Sequence, residues 1–175
     1  MYFSKFSSVF LGLIIATLSF TACSEEEVPP IALESSVTVT NTFQSTAFTA
    51  DAELAIEDLF QVPAGSLAAT ATVGAAVEFP AYLLNLYDID IDENSISFVL
   101  VAQDGDPTYG DLFRMIEADT YDRYYLTFAE AQNVEGFSVN NSSVNLRIDS
   151  DKVLVVEIGE GFDFKPGASF TISLN

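Results

Sequence analysis

No histidine and no tryptophan occur among the 175 residues, cysteine occurs once, and only six residues are basic. Each shortage closes off a class of chemistry. Without histidine there is no Ser-His-Asp triad, no Cys-His pair and no imidazole ligand for a metal. A lone cysteine forms no disulfide within the chain, so stability has to come from the packed core. Without tryptophan, a sugar-stacking platform would be built from tyrosine or phenylalanine, which number seven and fifteen. Six basic residues against 26 acidic ones leave a formal net charge of −20. Such a surface repels nucleic acid and anionic lipid head groups, which leaves cations, basic proteins and neutral glycans as partners. The chain also has no dinucleotide or phosphate-binding glycine loop, no HExxH and no GxSxG.

What is present begins with the single cysteine, Cys23. Ahead of it lie Lys5, the apolar stretch Val9–Phe20 and the residues Thr21 and Ala22. The apolar stretch is shorter than the roughly 20 residues that a membrane-spanning helix needs. The pattern of positive start, apolar middle and small residues before the boundary is that of a secretory signal. With Phe20-Thr21-Ala22-Cys23 at its end, the segment resembles the signal peptide of a bacterial lipoprotein. The resemblance implies that Cys23 is lipidated and becomes the mature N-terminus, with the membrane as a partner through the anchor. Ser24-Glu25-Glu26-Glu27 resembles the acidic surface-export signal of lipoproteins in some Gram-negative bacteria, which implies an outer-membrane protein facing the exterior. Two or more acyl chains hold a protein stably where one does not. Val28-Pro29-Pro30 reads as a stiff extended spacer. The expected organisation is a signal peptide over residues 1–22, an anchor and linker over 23–34, and one β domain over 35–175.

The body of the chain alternates with period two. Val37, Val39 and Asn41 alternate with Thr38, Thr40 and Thr42; the stretch from Phe48 to Glu57 alternates similarly and reads as a strand, with a helix as the alternative because Ala, Glu and Leu favour one. Leu67–Phe79 is ambiguous and Pro80 closes it. Tyr87, Ile89 and Ile91 alternate with Asp88, Asp90 and Asp92. Glu93-Asn94 then turns the chain into Ser95–Val101. Gln103–Asp111 reads as a polar loop and Asp111–Ala118 as a short helical turn. Tyr121–Phe128, Val144–Ile148, Val153–Ile158 and Ser169–Leu174 read as strands. About eight short strands with turns at close spacing predict an all-β fold, an antiparallel β-sandwich, with a closed β-barrel as the alternative.

Three constellations could carry chemistry. Asp88-Ile89-Asp90-Ile91-Asp92-Glu93-Asn94 superficially resembles a calcium loop, but Glu93 stands where glycine is needed and Val99 where the bidentate glutamate belongs. On a strand, Asp88, Asp90 and Asp92 would stand about 6.6–7 Å apart, too far for one ion to bind all three. This leaves a solvated sheet face, or a cation site at the Asp92-Glu93 end. Asp104, Asp106 and Asp111, in a loop with Gly105 and Gly110, could converge on Ca2+ if the loop curls back; an ordinary Asp-Gly turn is the alternative. Asp149 and Asp151 form a third acidic turn. Finally, Tyr121, Arg123 and Tyr125 share one face of a strand, opposite Tyr124, Leu126 and Phe128. That row suits sugar stacking or protein contact; alternatively Arg123 pairs with a neighbouring acid while the tyrosines cover a sheet edge.

Together these features point to a lipid-anchored, non-enzymatic binding module that takes a glycan or protein partner, with Ca2+ as a possible aid. A structural or assembly lipoprotein of the envelope is the alternative. A small glycoside hydrolase using paired carboxylates is the second alternative.

Overall fold

A computed structural model describes residues 30–45, 53–55, 57–58, 61–74, 76–101, 120–134, 136–159 and 161–174. These residues form two antiparallel sheets packed face to face, open at their edges, so the sandwich holds and the barrel does not. The strands are β1 (Ser36–Ser45), β2 (Glu53–Ala55), β3 (Ala69–Thr72), β4 (Phe79–Ala81), β5 (Tyr87–Asp92), β6 (Ser95–Leu100), β7 (Thr120–Phe128), β8 (Phe137–Val139), β9 (Val144–Ser150), β10 (Val153–Gly159) and β11 (Ser169–Leu174), with one helical turn, α1 (Tyr82–Asn85), between β4 and β5. One sheet runs β2-β1-β7-β10-β9, with β3 also pairing β1; the other runs β4-β5-β6-β11-β8.

The count of about eight strands falls short of the eleven described because β3, β4 and β8 are only three or four residues long. So short a run shows little alternation. Pro80 sits inside β4 rather than ending the segment before it. An edge strand tolerates this, because the missing N–H would not have joined the ladder.

Alternation decides which face is buried. β1 sends Val37, Val39, Asn41 and Phe43 inward; β7 sends Asp122, Tyr124, Leu126 and Phe128; β10 sends Leu154, Val156 and Ile158. The other sheet answers with Tyr87, Ile89, Ile91, Ile96, Phe98, Leu100, Phe170 and Ile172. Phe98 is the centre of the contact. Its ring stacks on Phe170 at 4.8 Å and meets Tyr124 of the opposite sheet edge-on at 5.4 Å. Tyr87 also meets Tyr124 edge-on, at 5.6 Å. Such pairs add about 0.5–1.5 kcal/mol each beyond the area they bury.

The described part of the segment expected as linker begins at Pro30 and lies against the domain. Pro30 is buried and Ile31 is fully enclosed. The Ile31 N–H donates to the Glu93 carbonyl (3.1 Å) and the Asn133 N–H to the Pro30 carbonyl (2.9 Å). The Ala32 N–H donates to Gln132 Oε1 (2.7 Å). The double proline suggested a spacer, but Ile31 supplies an apolar side chain that fills a gap at this end of the sandwich. The chain therefore joins the domain beside the β5–β6 turn.

Candidate functional site

The row Tyr121, Arg123 and Tyr125 lies on the outer face of the larger sheet, where the alternation of β7 places it. β7 is a central strand, so these tyrosines do not cover a sheet edge. In register, Thr42 stands beside Arg123 and Glu157, and Thr40 beside Tyr125 and Val155. Arg123 Nη2 reaches Glu157 Oε1 at 2.7 Å, with both side chains only 13 % and 17 % exposed. Partial burial and pairing with a directly opposite residue hold the guanidinium against β10. Val155 is fully buried although it points away from the core. On this face Tyr121 and Tyr125 are half-buried, while Val155 between the strands is covered.

A second feature lies at the end where the chain enters the domain. A shallow cleft of about 450 Å³ is lined by Leu33, Gly74, Asp92, Glu93, Asn94 and Ser95. Asp92 and Glu93 both line it, at the turn between β5 and β6. Gly74 adopts φ +91°, and a Cβ on it would fall 2.5 Å from Leu33 Cδ2, so only glycine fits this wall without a shift. The neighbouring carboxylates are already engaged. Glu78 accepts the Gly74 N–H (2.7 Å) and the Ile91 N–H (2.6 Å) through its two oxygens. Asp88 accepts the Ala81 N–H (2.7 Å). Partial burial, then the charge of Asp92 and of Glu78, push the Asp90 carboxyl above its ordinary range, and a hydrogen bond to Glu78 adds to this. Among the described residues no three acidic or thiol side chains gather closely enough to hold one metal ion.

Asp104, Asp106 and Asp111 lie outside the described residues, as do Cys23 and the acidic run after it. Asp149 forms an ion pair with Arg147 two residues earlier, and Asp151 is exposed in the β9–β10 turn.

Sequence reasoning missed a third group, buried between the sheets. Asp122 is wholly enclosed on the inward face of β7. Its Oδ1 accepts from Asn41 Nδ2 at 2.6 Å and its Oδ2 from the Tyr124 hydroxyl at 2.8 Å. Burial pushes its pKa up to about 6, against the opposing pull of those two hydrogen bonds. No lysine or arginine among the described residues is paired with it. Asn41 Oδ1 and the Tyr82 hydroxyl are buried without a partner. Burial, and then the nearby charges of Asp122 and Glu57, hold the Tyr82 hydroxyl well above the usual tyrosine range. The available signal was the placement of Asp122 itself, on the same face as Tyr124, Leu126 and Phe128.

No protein-family model, no curated protein and no solved structure matches the chain.

Proposed function

We propose that the chain is a lipid-anchored, outward-facing binding module of a bacterial cell envelope that takes a neutral glycan on the outer face of its larger sheet. The observation that carries this reading is the row on β7, in which Tyr121 and Tyr125 flank a guanidinium held by Glu157. Tyrosine rings offer flat faces for the C–H side of a sugar, and a fixed Arg-Glu pair offers donors and acceptors for its hydroxyls. The charge of −20 favours an uncharged ligand over an anionic one.

The direction of the chain supports the same reading. A lipid on Cys23 would tether the domain through the residues before Pro30, beside the turn at Glu93. β1 runs away from that end, and the register pairs its far residues Phe43 and Gln44 with Asp122 and Tyr121. Tyr121 and Arg123 lie toward the end of β7 away from Pro30, which an anchor at Cys23 would hold away from the membrane.

The test is binding of the intact domain to an array of neutral oligosaccharides, repeated with Tyr121→Ala and Tyr125→Ala. A retained sugar whose affinity falls roughly tenfold or more in both variants, with unchanged melting temperature, supports the face as the site. Silence across the array, or binding that ignores both substitutions, would sink the glycan reading. Capture of a basic protein through the same two tyrosines would instead favour a protein-binding envelope component. The cation reading for Asp92 and Glu93 is checked in the same preparations. Millimolar calcium should raise the melting temperature, because a ligand of the native state stabilises it. An unchanged melt rules that reading out.

A further inference from the structure

We propose that Asp122, Asn41 and the turn around Tyr82 form a proton-operated latch inside the sandwich. Three observations made independently of one another meet at this place. The first is chemical. Asn41 gives its N–H to Asp122, while its own Oδ1 is buried without a donor. A protonated Asp122 carries the missing donor. Acid and amide can then face each other as a closed pair, with Nδ2–H donating to one carboxyl oxygen and the acid O–H donating to Asn41 Oδ1. The proton comes from water and returns to it. Once it leaves, Asn41 Oδ1 is again an orphan and a full negative charge remains in the interior.

The second observation is the set of groups around that charge. Among the described residues, the titratable groups that interact with it are Tyr124 on the same strand and Tyr82 on α1; Glu57 acts on Tyr82, and Tyr87 of β5 on Tyr124. None of them can supply a positive charge. From β1 and β10 the directly opposed residues are Phe43 and Ile158, both apolar. The Tyr82 hydroxyl is buried and unpartnered, so it is the donor at hand for the ionised carboxylate.

The third is backbone strain. Tyr82 is flanked by Ala81 at φ 53° and Leu83 at φ 54°. Both are non-glycine residues in the left-handed region, where a side chain is disfavoured. The turn that carries Tyr82 is therefore held in a conformation that it leaves downhill once its packing is loosened. An ionised Asp122 draws the Tyr82 hydroxyl out of its packed position, and that shift loosens the turn, whose bonds include Leu86 N–H to the Tyr82 carbonyl, Val101 N–H to the Leu86 carbonyl and Ala81 N–H to Asp88. The latch is closed with the proton on and open with it off. A raised Asp122 pKa of about 6 puts the change in mildly acidic water.

The experiment is amide hydrogen exchange of the whole domain between pH 4.5 and 8, corrected for the intrinsic pH dependence of exchange. The reporters are the amides of Leu86 and Val101, referred to those of β7 and β10. The expected result is a drop of roughly tenfold or more in their protection above a midpoint near 6, with the reference strands unchanged. Asp122→Asn should abolish the step. Tyr82→Phe keeps the carboxyl but removes the donor that favours its ionised form, so the midpoint should move upward. A flat wild-type profile overturns the proposal, as does a step that survives in Asp122→Asn. If Asp122→Asn does not fold, Tyr82→Phe decides: an unmoved midpoint overturns the latch.

Discussion

Replacing Asp122 by asparagine should make the protein less sensitive to rising pH, and the size of the effect can be worked out. An unfolded chain gives up this proton near 3.8, whereas the folded protein keeps it to about 6. Between those values the native state holds one more proton than the unfolded state. Stability therefore falls as pH rises through that window, is highest below it and is level above it. At about 1.4 kcal/mol per pH unit, the window amounts to about 3 kcal/mol. The other acidic residues confuse a single curve, because self-repulsion in a chain of net charge −20 also grows with pH. The difference between wild type and Asp122→Asn removes that background. Urea denaturation of both proteins at half-unit steps from pH 3.5 to 7.5 gives the two curves. The variant should gain on the wild type by about 3 kcal/mol across the window, with half the gain by about pH 5. Asparagine keeps the size of the side chain and can still meet Asn41 and Tyr124, so its cost at low pH should be small and constant. A difference that stays flat from pH 3.5 to 7.5 would refute the claim that Asp122 is buried with no compensating charge among the described residues.

Other outcomes follow from the packing. Phe98→Ala, which removes the ring shared by Phe170, Tyr124 and Tyr87, should cost about 3–5 kcal/mol in the same denaturation assay. Gly74→Ala forces a side chain into φ +91° and against Leu33; a loss of about 1–3 kcal/mol is expected, and no loss would mean that this wall of the cleft relaxes freely. Cys23→Ala should move the protein from the membrane fraction to the soluble fraction of the producing cell, and retention with membranes would contradict the anchor.

Much of the architecture could be read from alternation alone. β5 and β6 are the clearest case, since Tyr87, Ile89 and Ile91 fill the core opposite a row of aspartates, and the Glu93-Asn94 turn sits where it was expected. β1 was legible to the level of single residues, because Asn41 falls in step with Val37 and Val39 and is buried with them. The shortest strands were not legible. β8 pairs with only three residues of β11, and nothing in Phe137–Val139 repeats often enough to show a period. Asp122 was hidden for a different reason. In a chain with 26 acidic residues, one more aspartate reads as solvent-facing, and only its parity with Tyr124 argues otherwise. The pairing of Arg123 with an acid was foreseeable from charge alone. That the acid is Glu157 depends on β10 lying beside β7, a long-range pairing that no local pattern encodes.

The strand order also bears on how the chain reaches its fold. β1 pairs with β7 from Val37 opposite Phe128 to Ser45 opposite Thr120, and β6 pairs with β11 across a comparable stretch of sequence. Each sheet thus pairs strands that are distant in sequence. The ends of long loops must meet before those ladders return any energy, which places folding in the slow range of milliseconds to seconds. Neither sheet is complete until strands from the last third of the chain have joined it. The sandwich therefore closes only once Ser169–Leu174 has taken its place between β6 and β8.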